Sequence, residues 1–337
     1  MEPSITALVL AAGKGTRMRS NRAKVLHEVF FQPMIHHVLH AVNQASINHC
    51  AVIVGHQRQE VMAALDGFSL TAVHQEQQLG TGHAVLCAEA ACAGADMVMI
   101  LCGDTPLIKA STLRAMISAH RHQQADLTLM STLLDQPFGY GRLLTDDQGA
   151  VLSIVEEKDA TEGQRRIREV NAGIYLVDTK ILFDALRRVG TNNSQGEMYL
   201  TDIIAIANET GRNVQKFLHP EAIDVLGVNS RIELARAQAT LQCRHNHSLM
   251  LAGVTLYAPE STLIAPDCII GQDTSLQGNI RIDGGTTIGT NCRIDSGCVL
   301  HACQIGDNVS IGANTVLEHC TLADSISVPP LTYRRDT

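Results

Sequence analysis

Short apolar runs alternate with longer amphipathic segments up to about residue 228. Apolar runs bounded by turn residues are typical of buried strands, and apolar positions three and four apart are typical of helices. The pattern predicts strands over residues 5–10, 51–54, 97–101, 127–133 and 173–177. It predicts helices over residues 33–45, 57–65, 81–91, 111–123 and 199–210. This alternation indicates an α/β domain of βαβ units around a mainly parallel sheet.

Beyond residue 252 the hydrophobic period becomes six residues. Aliphatic residues recur at strict six-residue steps: Ile264, Ile270, Leu276, Ile282, Ile288, Ile294 and Leu300. The next step is one residue shorter, and the six-residue spacing then continues through Ile305, Ile311 and Leu317. Small residues follow most of them by four positions: Cys268, Thr274, Thr286, Cys292, Cys298, Thr315. An α-helix cannot keep such a stripe on one face, whereas a triangular coil of three short strands can. The pattern predicts a parallel β-helix of hexapeptide repeats with about four coils.

A helix is predicted between these two regions. Ser230 and Glu233 form a capping-box pattern, and Gly253 is a suitable C-terminal stop, so the helix should occupy residues 231–252. We therefore expect a domain over residues 1–228, a connecting helix over 229–252 and a repeat region over 253–337.

Composition limits the possible partners. The 337-residue chain has a formal net charge of −8, which disfavours nonspecific nucleic-acid binding. No run reaches the roughly 18 apolar residues of a membrane helix, so no membrane association is expected. The ten cysteines form no CxxC pair, which favours a cytoplasmic protein with reduced thiols.

Three polar loops carry candidate chemistry. The glycine-rich stretch from Leu10 to Arg19 lets backbone N–H groups approach phosphate, although it matches neither a Walker A loop nor a dinucleotide fingerprint. Gln75 could read the edge of a uracil or thymine ring through its amide. Asp104 follows the strand over residues 97–101, where parallel sheets bind ligands, and could hold Mg²⁺. Taken singly, each is also compatible with a structural role: a basic turn, a polar loop or a helix cap.

Together these segments resemble the family of bacterial N-acetylglucosamine-1-phosphate uridylyltransferases over nearly the whole chain. The ordered matches are far more specific than any single motif. They comprise LAAGKGTRM from Leu10, KVLH from Lys24, residues 75–82, Gly103-Asp104, GYGR from Gly139, VEEKDAT from Val155, Asn171-Ala172-Gly173, Gly196-Glu197, YLTDII from Tyr199, and Gly227-Val228-Asn229.

The resemblance implies a Rossmann-like nucleotidyltransferase domain followed by a short left-handed β-helix. It implies transfer of UMP from UTP to N-acetyl-α-D-glucosamine-1-phosphate, giving a cell-wall and lipopolysaccharide precursor. Uridine would be held by Leu10, Ala11, Ala12, Gly13, Gln75, Gly80 and Thr81. The catalytic cations would be Arg17 and Lys24, and the Mg²⁺ ligands Asp104 and Asn229. The rest of the substrate-binding set, mostly on the sugar-phosphate side, would be Gly103, Gly141, Glu156, Asn171, Tyr199, Thr201 and Asn229.

Two features depart from the family pattern. Cys102 and Ala172 stand where the family has Tyr and Thr, which bears on sugar selectivity. The later coils that carry an acetyltransferase in the family would fall beyond residue 337, so acetyltransferase activity is expected to be absent. The family's β-helices pack as trimers, and a homotrimer is expected.

Two other functions remain open from the sequence. One is a related thymidylyl- or adenylyltransferase acting on another sugar-1-phosphate. The other is a non-catalytic protein that binds nucleotide sugars, although Arg17, Lys24 and Asp104 are all present.

Overall fold

The computed structural model describes residues 3–336. The chain divides into two compact units, Met1–Leu234 and Ala235–Thr337.

Strands of the first unit form one large sheet and a small hairpin. Its described strands are β1 (Ile5–Ala11), β2 (Glu28–Val29), β3 (Gln32–Pro33), β4 (His49–Val54), β5 (Thr71–His74), β6 (Met97–Cys102), β7 (Leu127–Leu133), β8 (Arg142–Thr145), β9 (Val151–Val155), β10 (Glu169–Asp178) and β11 (Val214–His219). The sheet has the order β11-β7-β10-β6-β1-β4-β5; off this path, β8 pairs with β10, and β9 pairs with β8. Along this order only β10 runs antiparallel to its neighbours, so the predicted mainly parallel α/β sheet is confirmed.

Both faces of the sheet are buried. In β1, Ala7 and Val9 pack into one hydrophobic core, whereas Leu8 packs into the other. Successive side chains of a strand point to opposite faces, so a strand covered on both sides must be apolar at every position. This explains why the central strands are continuous apolar runs.

Helices of the first unit cover the two faces of its sheet, and the last helix in the chain continues from the first unit into the second. The described helices are α1 (Met34–Gln44), α2 (Arg58–Ala64), α3 (Thr81–Leu86), α4 (Glu89–Cys92), α5 (Ala110–His122), α6 (Glu162–Arg165), α7 (Thr179–Leu186), α8 (Ile203–Glu209), α9 (Ala222–Val225) and α10 (Arg231–Leu251). Short 3₁₀ turns occupy Thr16–Met18, Lys24–Leu26, Leu200–Asp202 and Pro259–Ser261. Across residues 3–336, none of the helices combines the length and apolar character needed to cross a bilayer.

The five predicted strands and five predicted helices of this unit are present, with two corrections. The predicted helix over 81–91 is two helices, because Ala88 leaves helical geometry at ψ 8°. The predicted helix over 199–210 begins as a 3₁₀ turn. The strands β2, β3, β5, β8, β9 and β11 and the helices α6, α7 and α9 were not predicted. These elements are short or mix polar with apolar residues, so they lack a long periodic pattern.

The start of α10 has the predicted capping box. The Glu233 carboxylate accepts the N–H of Ser230 at 3.0 Å, and Ser230 Oγ accepts the N–H of Glu233 at 3.2 Å. These bonds satisfy N–H groups that a helix start leaves without intrahelical partners.

The second unit contains the predicted left-handed parallel β-helix. Its strands are β12 (Thr255–Leu256), β13 (Leu263–Ile264), β14 (Ile269–Ile270), β15 (Ser275–Leu276), β16 (Arg281–Asp283), β17 (Thr287–Ile288), β18 (Arg293–Ile294), β19 (Val299–His301), β20 (Gln304–Ile305), β21 (Ser310–Ile311), β22 (Val316–Glu318), β23 (Thr321–Leu322), β24 (Ser327–Val328) and β25 (Tyr333–Arg335). Each strand pairs in parallel with the strand three places along, which generates three flat sheets. The ten aliphatic repeat positions and the six small residues between them are buried, as predicted.

Corners of the coils explain the slip in the repeat. Most corners place a left-handed residue three positions after the buried aliphatic residue, for example Asn291 after Ile288. After Leu300 the left-handed residue, Ala302, comes one position earlier, so that corner is one residue shorter. The same shortening follows Leu317, a second slip that was not predicted.

Candidate functional site

The loop after β1 positions the basic side chains. Gly15 has a φ of +60°, and a Cβ atom there would lie 2.6 Å from Lys24 Cβ. At Gly13, in contrast, a Cβ atom would meet no heavy atom within 4 Å. Glycine at 15 therefore lets Lys24 pack against the loop, while the backbone at 13 stays open to a ligand.

The predicted nucleotide-side residues border one pocket. This pocket has a volume of about 460 Å³ and is lined by residues 10–13, Lys24, Gln75, residues 80–81 and Asp104. The side chain of Gln75 is buried, and its Nε2 donates to Gly80 O at 3.2 Å. That bond fixes the orientation of the amide and leaves Oε1 as its acceptor.

Two basic and two oxygen-bearing side chains meet at the edge of this pocket. Lys24 Nζ forms an ion pair with Asp104 and donates to Asn229 Oδ1 at 3.0 Å. Arg17 Nη2 donates to the same Asn229 oxygen at 2.8 Å. The structure thus brings together all four predicted catalytic and metal residues, although Asn229 is 205 positions from Lys24.

Backbone contacts hold Asp104 beside the segment that carries Asn229. Val228 N–H donates to Asp104 O at 2.8 Å. A Cβ atom at Gly227 would lie 3.0 Å from Asp104 Oδ1, so glycine permits this close approach. Gly103 N–H donates to Leu10 O at 2.9 Å and so joins the ends of β1 and β6.

The predicted sugar-side residues form a second group, outside the lining of the 460 Å³ pocket. Thr201 Oγ1 donates to Glu156 Oε1 at 3.1 Å, and a Cβ atom at Gly141 would lie 3.5 Å from both Glu156 oxygens. Asn171 N–H donates to Gly141 O at 2.9 Å. Tyr199 is buried, and its hydroxyl donates to Asp159 Oδ2 at 3.2 Å.

An irregularity in β10 links the two groups. The pairing of β10 with β7 shifts between Asn171 and Tyr175, and Gly173 in that interval has a φ of +74°. Asn171 Oδ1 accepts Gly173 N–H at 2.9 Å, and its Nδ2 donates to Tyr175 Oη at 2.6 Å. Cys102, in the pocket wall, donates to Gly173 O at 3.6 Å. Such bulges re-aim side chains next to binding sites.

Burial changes the ionisation of two groups here. Burial raises the pKa of the Glu156 carboxyl, and the hydrogen bond from Thr201 opposes that rise. Burial also raises the pKa of the Cys102 thiol to about 12, assisted by the negative charge of Asp104. Cys102 is therefore a neutral thiol at pH 7 and a poor nucleophile.

The donor set suits a hard divalent cation. Asp104 and Asn229 offer one carboxylate and one amide oxygen, and Mg²⁺ takes few protein oxygens together with substrate phosphates. Within residues 3–336, no group of three or more His, Cys, Asp or Glu side chains could form a complete protein cage for a metal. Lys24 Nζ bonds to both candidate ligands, which shows that their oxygens converge on a cation.

Some residues that build the site were not singled out from the sequence. Gln78 lines the pocket and donates to Ala12 O at 3.1 Å. Arg142 is 1% exposed and bonds to Glu157 at 2.6 Å. Arg142 lies within the GYGR match and Glu157 within the VEEKDAT match, but a sequence match does not reveal that these two side chains face each other.

Comparisons with known proteins give the same two-part organisation. Residues 7–172 match the MobA-like NTP transferase domain, and residues 285–319 match the bacterial transferase hexapeptide repeats. The chain is 48% identical over 305 residues to the bifunctional protein GlmU of Desulfotalea psychrophila, covering 90% of each chain. It is 46% identical over 289 residues to that of Exiguobacterium sp., covering 86% of this chain and 64% of the relative.

A further relative and a solved structure are also similar to this chain. The chain is 43% identical over 293 residues to the bifunctional protein GlmU of Syntrophomonas wolfei, covering 87% of this chain and 65% of the relative. It thus spans about two thirds of the length of this relative and the Exiguobacterium one. A crystal structure from Bacillus anthracis, provisionally named a glucose-1-phosphate thymidylyltransferase, superposes with a TM-score of 0.58 over 70% of this chain and 95% of its own. At 21% identity it shows a shared fold alone.

Proposed function

The chain belongs to the family of the bifunctional protein GlmU, and on that premise we propose that it transfers UMP from UTP to N-acetyl-α-D-glucosamine-1-phosphate. The products are UDP-N-acetylglucosamine and pyrophosphate. The observation that carries the proposal is the convergence of Arg17, Lys24, Asp104 and Asn229 beside the nucleotide-sized pocket.

The pocket suits a uracil base and its phosphates. Uracil presents an N–H donor at its ring edge, and the oriented Gln75 amide offers the acceptor Oε1. The open backbone at Gly13 and the ammonium of Lys24 face the same pocket and would receive the triphosphate.

The second group suits a sugar with hydroxyl and amide substituents. The half-buried Glu156 carboxylate, held by Thr201, would accept a sugar hydroxyl, and glycine at 141 leaves the space for it. Asn171 and Tyr199 would complete this side, with Tyr199 acting through its bond to Asp159.

We assign Mg²⁺ to Asp104 and Asn229, because hard oxygen donors in this small number are its usual protein ligands. When bound, the cation would neutralise phosphate charge and hold the phosphates of both substrates together. Lys24, now bonded to both oxygens, would then be released towards the triphosphate.

The reaction needs no general base from the protein. A phosphate monoester has a second pKa of about 6, so the attacking oxygen of the sugar phosphate is largely ionised at pH 7. It attacks the α-phosphorus of UTP, and pyrophosphate leaves in line. Lys24 and Arg17 stabilise the charge that develops on pyrophosphate, and the remaining contribution is the alignment of the two substrates.

We also propose that the protein assembles as a homotrimer through the β-helix. In the sheet of β13, β16, β19, β22 and β25, one row of paired positions forms a mostly apolar stripe of Leu263, Val299, Val316 and Tyr333, which Arg281 interrupts between Leu263 and Val299. An apolar stripe on a flat sheet favours self-association. Light scattering should report three times the 36.4 kDa chain mass, and a monomer would contradict this assignment.

A pyrophosphate-release assay tests the activity. UTP, TTP and ATP are each combined with N-acetylglucosamine-1-phosphate and with glucose-1-phosphate, with Mg²⁺ or with EDTA. We expect turnover for UTP with the amino sugar in Mg²⁺ only. Preference for TTP or ATP would instead support a related nucleotidylyltransferase. Binding of UTP without turnover of any pair would support a non-catalytic protein.

A further inference from the structure

The most enclosed charged side chain near the site belongs to Arg142, at the start of β8. The Arg142 side chain is 2% exposed, and its Nη2 lies 2.6 Å from Glu157 Oε2. Arg142 Nε has no hydrogen-bond partner among the described residues. Burying an ion pair is often neutral or unfavourable for stability compared with a hydrophobic pair. Stability alone therefore gives a poor account of these two residues at this place.

Both members of the pair hold the backbone of one loop. Gly139 N–H donates to Glu157 Oε2 at 3.1 Å, and Arg142 Nη1 donates to Tyr140 O. With the bond from Asn171 N–H to Gly141 O, each of the three residues 139–141 has a fixed backbone contact. These residues form what we call the glycine loop.

The glycine loop lies between the two halves of the site. A Cβ atom at Gly139 would lie 3.8 Å from Arg17 Nη1, on the phosphate side. A Cβ atom at Gly141 would lie 3.5 Å from both oxygens of Glu156 and 2.8 Å from Ile154 Cγ2, on the sugar side. No side chain fits at 141, so the backbone itself forms that wall. A shift of the loop would therefore disturb both Arg17 and Glu156.

The same ion pair also gives two adjacent carboxylates different roles. Glu156 and Glu157 follow β9, and Glu157 is committed to Arg142 while Glu156 bonds to Thr201. Burial raises the pKa of Glu156. For Glu157, burial acts in the same direction, but the bonds from Arg142 and Gly139 outweigh it and lower its pKa. Glu157 thus keeps its charge for the loop, and Glu156 remains available to a ligand.

We infer that Arg142 and Glu157 are positioning residues: their ion pair fixes the backbone of the glycine loop between Arg17 and Glu156, where the sugar phosphate would bind. They act through the loop backbone and touch no substrate. The inference rests on the proposed function for the identity of the sugar phosphate.

The test uses two variants and a matched control in the full chain. Glu157→Gln keeps the shape and an acceptor for Gly139 N–H but removes the charge that holds Arg142. Arg142→Met/Glu157→Leu replaces the ion pair by apolar side chains, which satisfies burial but leaves the loop backbone without its two tethers. Arg166→Met removes an arginine that pairs with Glu162 at 3.1 Å on the exposed face of α6 and serves as control.

Four quantities are measured for each protein: KM and kcat for N-acetylglucosamine-1-phosphate, the Kd of UTP by calorimetry, and the midpoint of urea unfolding. We expect both pair variants to raise KM for the sugar phosphate by about 10–100-fold, by analogy with the loss seen when residues that orient metal ligands are removed. The Kd of UTP should stay within about twofold, and the control should match the wild type.

A purely structural role predicts a different outcome. In that case Glu157→Gln would lower the unfolding midpoint with KM unchanged, and the apolar double variant would restore both stability and activity. Either result would overturn the inference. Absence of wild-type turnover would instead count against the proposed function. In that case the Kd of the sugar phosphate, measured by calorimetry for the wild type and the variants, would still test the role of the pair.

Discussion

Replacing Asp104 by asparagine tests the candidate metal centre most directly. Asparagine keeps the size of the side chain, which matters because a Cβ atom at Gly227 would lie only 3.0 Å from Asp104 Oδ1. The tie from Val228 N–H uses the Asp104 carbonyl and is unaffected by the change. The fold should therefore persist while one negative charge is lost from the site.

The expected loss of stability follows from the ion pair with Lys24. Breaking a fully buried pair costs about 3–5 kcal/mol, and an exposed pair contributes about 0–1 kcal/mol. The side chains of Lys24 and Asp104 are 18% and 12% exposed, and Lys24 retains Asn229 at 3.0 Å. We expect a decrease of about 1–2 kcal/mol in the free energy of unfolding.

The expected loss of activity is much larger. Removing a single oriented contact to developing charge costs about 10²–10³-fold in kcat. Asp104 is the only carboxylate of the proposed metal pair, so kcat should fall by about 10³-fold or more. Pyrophosphate release is measured at saturating substrates over a range of Mg²⁺, alongside urea unfolding. Asp147→Asn, in the exposed turn after β8, is the matched control. A kcat within about threefold of wild type, with an unchanged Mg²⁺ requirement, would refute the metal assignment.

Three further predictions address other parts of the chain. Thr201→Val removes the hydrogen bond that lowers the pKa of Glu156, so this pKa should rise further and the acid limb of the kcat/KM profile should move to higher pH; an unchanged profile would exclude an ionised Glu156 from sugar binding. Lys109→Met removes the 2.6 Å ion pair with buried Asp224, which lies five residues before the proposed ligand Asn229. The free energy of unfolding should fall by about 1 kcal/mol, and the Mg²⁺ concentration for half-saturation should rise; no change in either would show that the pair does not hold this segment. Ser325→Asn should raise the free energy of unfolding by about 0.5–1 kcal/mol, because φ is +60° there and asparagine tolerates that conformation better; a lower value in urea unfolding would contradict the corner geometry.

The repeat region was predictable because its information is local. Each coil repeats one structural unit, so the spacing of Ile282, Ile288 and Ile294 along the chain states directly which side chains point inward. The second slip, after Leu317, was missed because a change of one residue at a corner leaves little trace when few repeats follow it.

The sheet was also largely predictable, but its edges were not. Strands buried on both faces, such as β1 and β6, are continuous apolar runs and need no tertiary information. The strands β8 and β9 pair with each other and mix polar with apolar residues, and β8 joins the sheet through β10, which is distant in sequence.

The sequence by itself determined the fold class, the hexapeptide solenoid, and the family, which the relatives confirm. Residue types and their order along the chain carry that much, because hydrophobic periodicity and extended motifs are local. Only the tertiary structure decided that Asn229 meets Lys24, 205 positions away in the chain, and that Arg142 forms an ion pair with Glu157. Such contacts depend on where the ends of β6, β8 and β9 lie relative to one another, which is set by sheet order and packing of the whole domain rather than by any segment of the chain.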